Sequence, residues 1–245
     1  MKIKDNKVFL TELEICTDED LNYEIVRKLS NNEYTEEQCI AFVTRNCRLL
    51  EAIKKQTLAI CTAAVNQDPN ALIFAKIQTE EMCLPAVLRD PYCIRFIKDK
   101  TDAICMAAVM TNGLTLSCLP VKKRTYPICL IAVANDGRAL DYVPKQDDTL
   151  CLLAVSRNFG MSLRHVQNQT PDIVTAALLA GAHHSSHHVK NWTTRLKEIA
   201  TMVLNNNVFN KSSIEKSVDA LLHIVKTNLP DNVNISDEDL IEIVE

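Results

Sequence analysis

The segment Thr101–Gly113, TDAICMAAVMTNG, decides the fold because its pattern recurs along the chain. Residues 57–69, TLAICTAAVNQDP, show the same pattern two units earlier. The cysteine of the pattern returns at intervals of 22, 22, 22, 24 and 22 residues, at Cys39, Cys61, Cys83, Cys105, Cys129 and Cys151. A fixed period in this range predicts one small structural unit stacked on copies of itself.

A side chain able to cap a helix stands four residues before each of these cysteines. The capping residues are Thr35, Thr57, Thr79, Thr101, Thr125 and Asp147, and Thr170 takes the same place before a seventh unit with Val174 instead of cysteine. Their oxygens can accept bonds from the free N–H groups of a first helical turn. The pattern therefore predicts seven helix starts, with a capping box formed by Thr35 and Gln38.

An Asp or Asn follows each cysteine by seven residues, and Pro or Gly often comes next, as in Asp68-Pro69 and Asn112-Gly113. Such pairs favour turns because the Asx side chain bonds nearby backbone and Gly accepts positive φ. The first helix of each unit should therefore run for about ten residues. Apolar pairs such as Ile94 and Ile97 then predict a second short amphipathic helix. Pro85 lies inside the first helix of the third unit, where it should produce a kink or a bend in the stack.

Each unit is thus predicted to be a helical hairpin, too short to be stable alone in water. Burying one Val or Leu is worth roughly 1.5–3 kcal/mol, so the next unit should cover each apolar stripe. The predicted fold is all-α, an α-solenoid of about seven 22–24-residue helical hairpins with helical caps at both ends. The predicted domains are an N-terminal cap over 1–34, the repeats over 35–191 and a C-terminal cap over 192–245.

The two ends do not follow the repeat. In the N-terminal cap, Thr17 should start a helix that buries Ile25, Val26 and Leu29, and residues 7–16 alternate in a way that favours an extended segment. In the C-terminal cap we expect helices over 192–204, 212–228 and 236–245. The alternative for 231–245 is a detachable acidic tail that docks on a partner.

Composition narrows the classes of function. The 245-residue chain has a net charge of −4 and a pI of about 5.9, without a regular basic row, which disfavours a grip on nucleic-acid backbones. It contains no apolar run long enough for a membrane span, and its N-terminus lacks an apolar signal core. The ten cysteines favour reduced, buried thiols that pack as small hydrophobes. We therefore expect an intracellular protein in a reducing compartment.

No catalytic motif is apparent, so we predict no catalytic residues, no cofactor, no metal and no enzymatic activity. The densest cluster of candidate ligands is His183-His184-Ser185-Ser186-His187-His188. Histidines four residues apart on a helix can bind zinc, but this segment falls in a predicted turn and has no second ligand cluster. A solvated loop is the favoured interpretation, and a zinc site is the alternative. Lys122-Lys123-Arg124 is likewise either a solvated loop between repeats or an anion contact.

The residues that vary inside the fixed frame are the better functional clue. Positions five and six after the cysteine should lie off the buried stripe, and they change from unit to unit. Solenoids use such surfaces for extended recognition. The predicted partner surface is therefore Arg45, Gln67, Arg89, Asn135 and Arg157.

The unit Thr-x-x-Ile-Cys-x-x-Ala-Val-x-x-Asp-Gly, followed by a Leu-x-x-Val helix, resembles the short Ala-Val tandem helical repeats of giant viruses of amoebae and some intracellular bacteria. The resemblance covers residues 35 to about 190 and departs in the row of cysteines and the degenerate seventh unit. That family has no established function or catalytic residues. The resemblance implies a viral or effector-like protein located in host cytoplasm or in a virion.

Two functions remain as hypotheses. The first is a non-enzymatic interaction scaffold that binds another protein through the variable face of the solenoid. The alternative is an RNA or DNA reader that uses repeat surface residues, as some helical repeats read one base per unit. The acidic pI favours the first.

Overall fold

The computed structural model describes residues 9–14 and 23–206. Every regular element in those two ranges is helical, and neither range contains a strand. The predicted all-α class is therefore confirmed for them. The helix start at Thr17 and the helices over 212–228 and 236–245 lie outside the described residues.

Two kinds of helix alternate along most of the chain. The α-helices are α1 (9–14), α2 (Tyr23–Ser30), α3 (Glu36–Arg45), α4 (Leu58–Gln67), α5 (Glu80–Arg89), α6 (Asp102–Thr111), α7 (Tyr126–Asn135), α8 (Asp148–Arg157), α9 (Pro171–Ser185) and α10 (Thr194–Asn206). The 3-10 helices are η1 (Cys47–Ala52), η2 (Pro69–Ile73), η3 (Pro91–Phe96), η4 (Gly113–Cys118), η5 (Val121–Lys123), η6 (Gly137–Tyr142), η7 (Met161–His165) and η8 (Ser186–His188). Helices α3 to α8 each have ten residues, as the pattern predicts.

The chain divides into two compact units, Met1–Ile104 and Cys105–Glu245, so the division falls within α6. In the first unit α3 packs against α4, and η2 packs against η3. In the second unit α8 packs against α7 and α9, and α10 packs against α9. The predicted domain bounds at 34 and 191 stay a prediction.

Most of the predicted capping residues make the expected bonds. Thr35 accepts from the Gln38 N–H while the Gln38 side chain accepts from the Thr35 N–H, which is the predicted capping box. Thr57, Thr101, Asp147 and Thr170 accept a bond from the N–H three residues later. Thr79 and Thr125 stand at the predicted N-caps without a side-chain bond. The helix starts are therefore where the pattern places them.

The Asx residues end one helix and begin the next. Asp68, for example, donates its N–H to the Ala64 carbonyl and accepts a bond from the Asn70 N–H on its side chain. The predicted second short helix is present and is a 3-10 helix, with five or six residues in the first six units and three in the seventh. A segment this short gains more bonds from the i→i+3 pattern, because its first i→i+4 bond would need an additional residue.

The cysteine positions form the core together with neighbouring small residues. The six regularly spaced cysteines, Cys39 to Cys151, which we call the grid cysteines, are all buried. The alanines three residues after four of them, Ala64, Ala86, Ala108 and Ala132, are buried as well. Each cysteine in the described ranges is a free thiol. The six regularly spaced cysteines are therefore buried packing positions, as predicted, whereas Cys47 and Cys118 are half-buried; the reduced state stays a prediction.

The N-terminal segment differs from the expectation. Residues 9–14 are helical rather than extended. The Phe9 ring meets the Phe42 ring edge-on at 5.4 Å between centroids, and Glu12 accepts bonds from Lys28 and Tyr34. Contacts with later helices thus decide the conformation of this segment. In α2, Ile25 and Leu29 are buried as predicted, whereas Val26 is half-buried.

Helix α5 continues across Pro85 and keeps the length of its neighbours, so the expected kink does not interrupt it. Pro85 cannot donate to the Glu81 carbonyl, but both residues are exposed. Water can bond the carbonyl that proline leaves free, which limits the cost of this substitution in the pattern.

Close approach of backbones explains two glycines in the second unit. A Cβ added at Gly113 would overlap the Ala132 carbonyl oxygen, and one added at Gly137 would overlap the Ala154 carbonyl oxygen. In each case the oxygen belongs to the α-helix of the following repeat. Glycine is thus required because the start of a 3-10 helix touches that helix directly.

Helix α10 continues the register beyond the predicted end of the repeats. Thr193 accepts a bond from the Leu196 N–H at 3.2 Å, as the earlier threonine caps do. Leu196 and Ala200 are buried three and seven residues after this cap, like Ile60 and Ala64 after Thr57. The predicted helix over 192–204 is confirmed, but its first turns belong to the repeat pattern.

Candidate functional site

The predicted partner surface lies at the C-terminal turns of the α-helices. Arg45, Gln67 and Arg89 are exposed at the ends of α3, α4 and α5. Asn135 and Arg157 are half-buried at the ends of α7 and α8, and burial lowers the pKa of the Arg157 guanidinium.

Two of these five side chains bond the preceding repeat. The terminal nitrogens of Arg89 donate to the Asn66 carbonyl at 2.7 Å and the Gln67 carbonyl at 3.4 Å, both in the last turn of α4. The Asn135 amide donates to the Met110 carbonyl at 2.8 Å and accepts from the Gly113 N–H at 2.6 Å. This position therefore joins repeats in addition to facing outward.

The position one residue before this one, five residues after the cysteine, is exposed to solvent in several repeats. Leu88 is 60% exposed at the end of α5, and Leu179 is 53% exposed at the equivalent place in α9. Thr44 and Asn66 are also exposed, whereas Ala134 is buried. Large exposed leucines on a repeated frame are available for contact with another molecule.

A row of glutamines joins repeats, and the sequence reasoning missed it. The Gln56 amide donates to the Leu50 carbonyl at 2.8 Å and to the Phe74 carbonyl at 3.0 Å, in consecutive repeats. Its oxygen accepts from the Lys76 N–H at 2.7 Å. One side chain thus ties the ends of η1 and η2 together. We call this arrangement the glutamine staple.

The same staple recurs at Gln78, Gln146 and Gln169, each directly before a helix cap. Gln78 bonds the Leu72 and Phe96 carbonyls and the Lys98 N–H, all within 3.1 Å. Gln146 and Gln169 make the equivalent bonds in the second unit. The spacing of these glutamines on the cysteine period is a signal that could have revealed them.

Arg124 takes the staple position after the two-residue insertion. It donates to the carbonyls of Leu119, Tyr142 and Ser117 at 3.0, 2.8 and 3.3 Å. The guanidinium therefore bonds backbone between repeats. In the insertion before it, Lys122 is exposed.

Two of the grid cysteines contact the glutamine staples through their thiols. The Cys61 thiol lies 3.3 Å from the Gln56 side-chain oxygen, and the Cys151 thiol lies 3.8 Å from that of Gln146. Burial raises the pKa of Cys129 and of Cys151 to about 11, and that of Cys93 to about 12. These thiols stay protonated at neutral pH, which makes them poor nucleophiles.

Lysines recur at the loop position after each 3-10 helix in the first unit, at Lys54, Lys76 and Lys98. This row corrects the expectation that no regular basic row exists. The ammonium of Lys76 donates to the Ile53 and Lys54 carbonyls at 3.3 and 2.9 Å, and that of Lys98 donates to the Ala75 and Lys76 carbonyls at 3.0 Å each. Two of these lysines therefore bond the loop of the preceding repeat.

The histidine cluster spans the end of α9 and all of η8. His183, His184 and His187 are exposed, and His188 is half-buried. The backbone of Gly181 is non-helical inside α9. Ser185 is fully buried, and its hydroxyl lies within hydrogen-bond distance of the Ala177 and Gly181 carbonyls, to which it donates. In the described part of the chain, no three His, Cys, Asp or Glu side chains are grouped so that they could hold a metal ion.

None of the helices in the described ranges is both long enough and apolar enough to cross a membrane. Comparison with protein-family models, with curated proteins and with solved structures finds no match to this chain.

Proposed function

We propose that this chain is a non-enzymatic scaffold that binds another protein through the variable surface of a helical solenoid. The proposal includes about seven repeats and a location inside the cell, as a viral or effector-like protein. The single observation that carries it is the contrast between fixed and variable positions. The recurring polar residues bond backbone within or between repeats, whereas the last turns of the α-helices expose residues that differ from repeat to repeat.

Leu88 and Leu179 are the strongest support for a protein partner. They occupy the same repeat position, and each exposes more than half of its surface. Exposed leucines cost solubility and contribute nothing to the adjacent helix caps. Burial of such a side chain against a partner is worth roughly 1.5–3 kcal/mol, which suits protein recognition better than contact with phosphates.

The lysine row is the feature that favours the alternative of an RNA or DNA reader. However, the ammonium groups of Lys76 and Lys98 already donate to two carbonyls each. The net charge of −4 also opposes a polyanion at long range. A protein partner therefore remains the better proposal.

The test is affinity capture from cell lysate with quantitative mass spectrometry. Wild type is compared with the double variant Leu88→Ser and Leu179→Ser, and with the control Leu58→Ser, an exposed leucine at the start of α4. The proposal expects proteins that the double variant loses and the control retains, with unchanged circular dichroism. Equal capture by all three chains, or capture that nuclease treatment abolishes, would overturn it.

A further inference from the structure

The sixth and seventh repeats differ from the rest of the chain in charge. Between residues 149 and 193, Asp172 is the only carboxylate side chain, against Arg157, Arg164 and Lys190. Five of the six histidines of the chain also lie in this stretch, at 165, 183, 184, 187 and 188. An acidic chain therefore carries a local region with few carboxylates. Arg164 and His165 of this region lie on η7, and His187 and His188 lie on η8.

Arg164 lies near the end of η7, and its guanidinium makes one hydrogen bond to another described residue. Its Nε donates to His165 Nε2 at 2.8 Å. Because Nε2 accepts, the neutral ring carries its proton on Nδ1, which lies 3.2 Å from Asp141 Oδ1. This chain of contacts fixes the orientation of the guanidinium. The terminal nitrogens of Arg164, which is exposed, have no partner among the described residues.

Two further histidines, His187 and His188, lie on η8, the helix in contact with η7. Helices η7 and η8 are in contact, and the Gln169 staple bonds carbonyls at the ends of both, Leu163 and His188. His187 is exposed, and His188 is half-buried. Burial lowers the pKa of His188, with smaller contributions from Arg164, His187 and His165. We group Arg164 and its bond partner His165 on η7 with His187 and His188 on the adjacent η8, and call these four residues the Arg164 cluster.

We propose that the Arg164 cluster binds carboxylate side chains of an acidic segment on a partner protein. A guanidinium fixed through Nε presents its two terminal nitrogens as a fork that matches the two oxygens of a carboxylate. His187 and His188 supply further donors beside that fork. This inference rests on the proposed scaffold function and names the chemistry of its partner.

An acidic peptide fits better than a nucleic acid because the region with few carboxylates is local. The Debye length is about 8 Å at physiological ionic strength, so a short acidic segment at η7 and η8 interacts mainly with the Arg164 cluster and with the nearby Asp141 carboxylate, which opposes binding. A long nucleic acid would also meet the acidic remainder of the chain, where repulsion opposes binding. The exposed Phe159, two residues before η7, and the exposed Met161, its first residue, add apolar surface that a peptide side chain can cover.

The experiment is fluorescence polarisation with the full chain and a short fluorescein-labelled peptide rich in glutamate. The same peptide with glutamine in place of glutamate reports binding that does not depend on carboxylates. The variants are Arg164→Ala and Arg164→Lys. The control is Arg48→Ala, which removes an exposed arginine of the first unit whose side chain has no bond partner among the described residues. Circular dichroism verifies that each variant is folded.

We expect Arg164→Ala to weaken binding of the glutamate peptide about tenfold or more, since a bidentate charged contact is lost. Arg164→Lys should restore part of the affinity, because a lysine keeps the charge without the fork. Arg48→Ala should bind like wild type. Equal binding by wild type and Arg164→Ala, or equal binding of the glutamine peptide, would overturn the inference.

A uridine oligonucleotide that binds more tightly than the glutamate peptide, and does so through Arg164, would also overturn it. The proposed function has a separate readout in the capture experiment with the leucine variants. Capture that depends on Leu88 and Leu179 but not on Arg164, together with no peptide binding, would refute this inference and leave the scaffold function standing.

Discussion

Replacing Gln56 with alanine tests the glutamine staple most sharply. The change deletes two donations, to the Leu50 and Phe74 carbonyls, and the acceptance from the Lys76 N–H. Each such bond contributes about 1 kcal/mol net, so the loss should be about 3 kcal/mol. Leu50 is fully buried, so water cannot readily replace its partner, whereas the exposed Lys76 backbone can be hydrated.

The assay is urea unfolding followed by circular dichroism, with the shift in midpoint converted through the slope of the transition. Gln67→Ala is the matched control, because that glutamine is exposed at the end of a helix and its side chain has no partner among the described residues. Hydrogen exchange at the Lys76 amide gives a local readout and should be faster in Gln56→Ala. Equal midpoints for the two variants, with unchanged exchange at Lys76, would refute the staple.

Three further predictions concern packing and thiol chemistry. Gly137→Ala should destabilise by about 1–3 kcal/mol, because its Cβ overlaps the Ala154 carbonyl, and a neutral result in urea unfolding would show that the backbones can separate. Cys105→Leu should cost about 1–3 kcal/mol because the fully buried site has no room, whereas Cys118→Leu, at a half-buried site, should cost less; equal midpoints would contradict this. At pH 8 iodoacetamide should modify Cys118 before Cys93, whose pKa of about 12 keeps it protonated, and mass spectrometry showing the reverse order in the native protein would contradict the burial.

The sequence predicted the α-helices well because their signals are local. In α3 to α8, a threonine or aspartate cap, ten residues and an Asx stop define each helix, and neighbouring repeats supply independent copies of the evidence. Thr79 and Thr125 show the limit of that reasoning, since helices begin there without the cap bond. Packing of the apolar face is sufficient to place those starts.

The sequence did not distinguish a short α-helix from a 3-10 helix. Apolar residues three apart, such as Ile94 and Ile97, face one side in either form, and the length of five or six residues decides the bonding pattern. The extended form expected for residues 7–16 failed at the described residues 9–14 for a different reason. Contacts of Phe9 and Glu12 with residues far along the chain are not visible in local alternation.

The candidate site was only partly predictable. The exposed C-terminal turns followed from helix geometry, but the bonds of Arg89 and Asn135 to the preceding repeat depend on the pitch between repeats. The glutamine staple and the lysine row stand at fixed offsets from the cysteines and could have been found by aligning the repeats at every position. The contact of His165, the bond partner of Arg164, with Asp141 required the packing of η6 and η7.

The most direct test of the central claim is hydroxyl-radical footprinting of the chain, free and bound to a partner obtained by capture. The account predicts that Leu88 and Leu179 are modified in the free chain and protected in the complex, because the proposed mode of recognition buries both leucines against the partner. Leu58, exposed at the start of α4, should be modified equally in both states. Unchanged modification of Leu88 and Leu179 on binding, with protection at Leu58, would contradict the account.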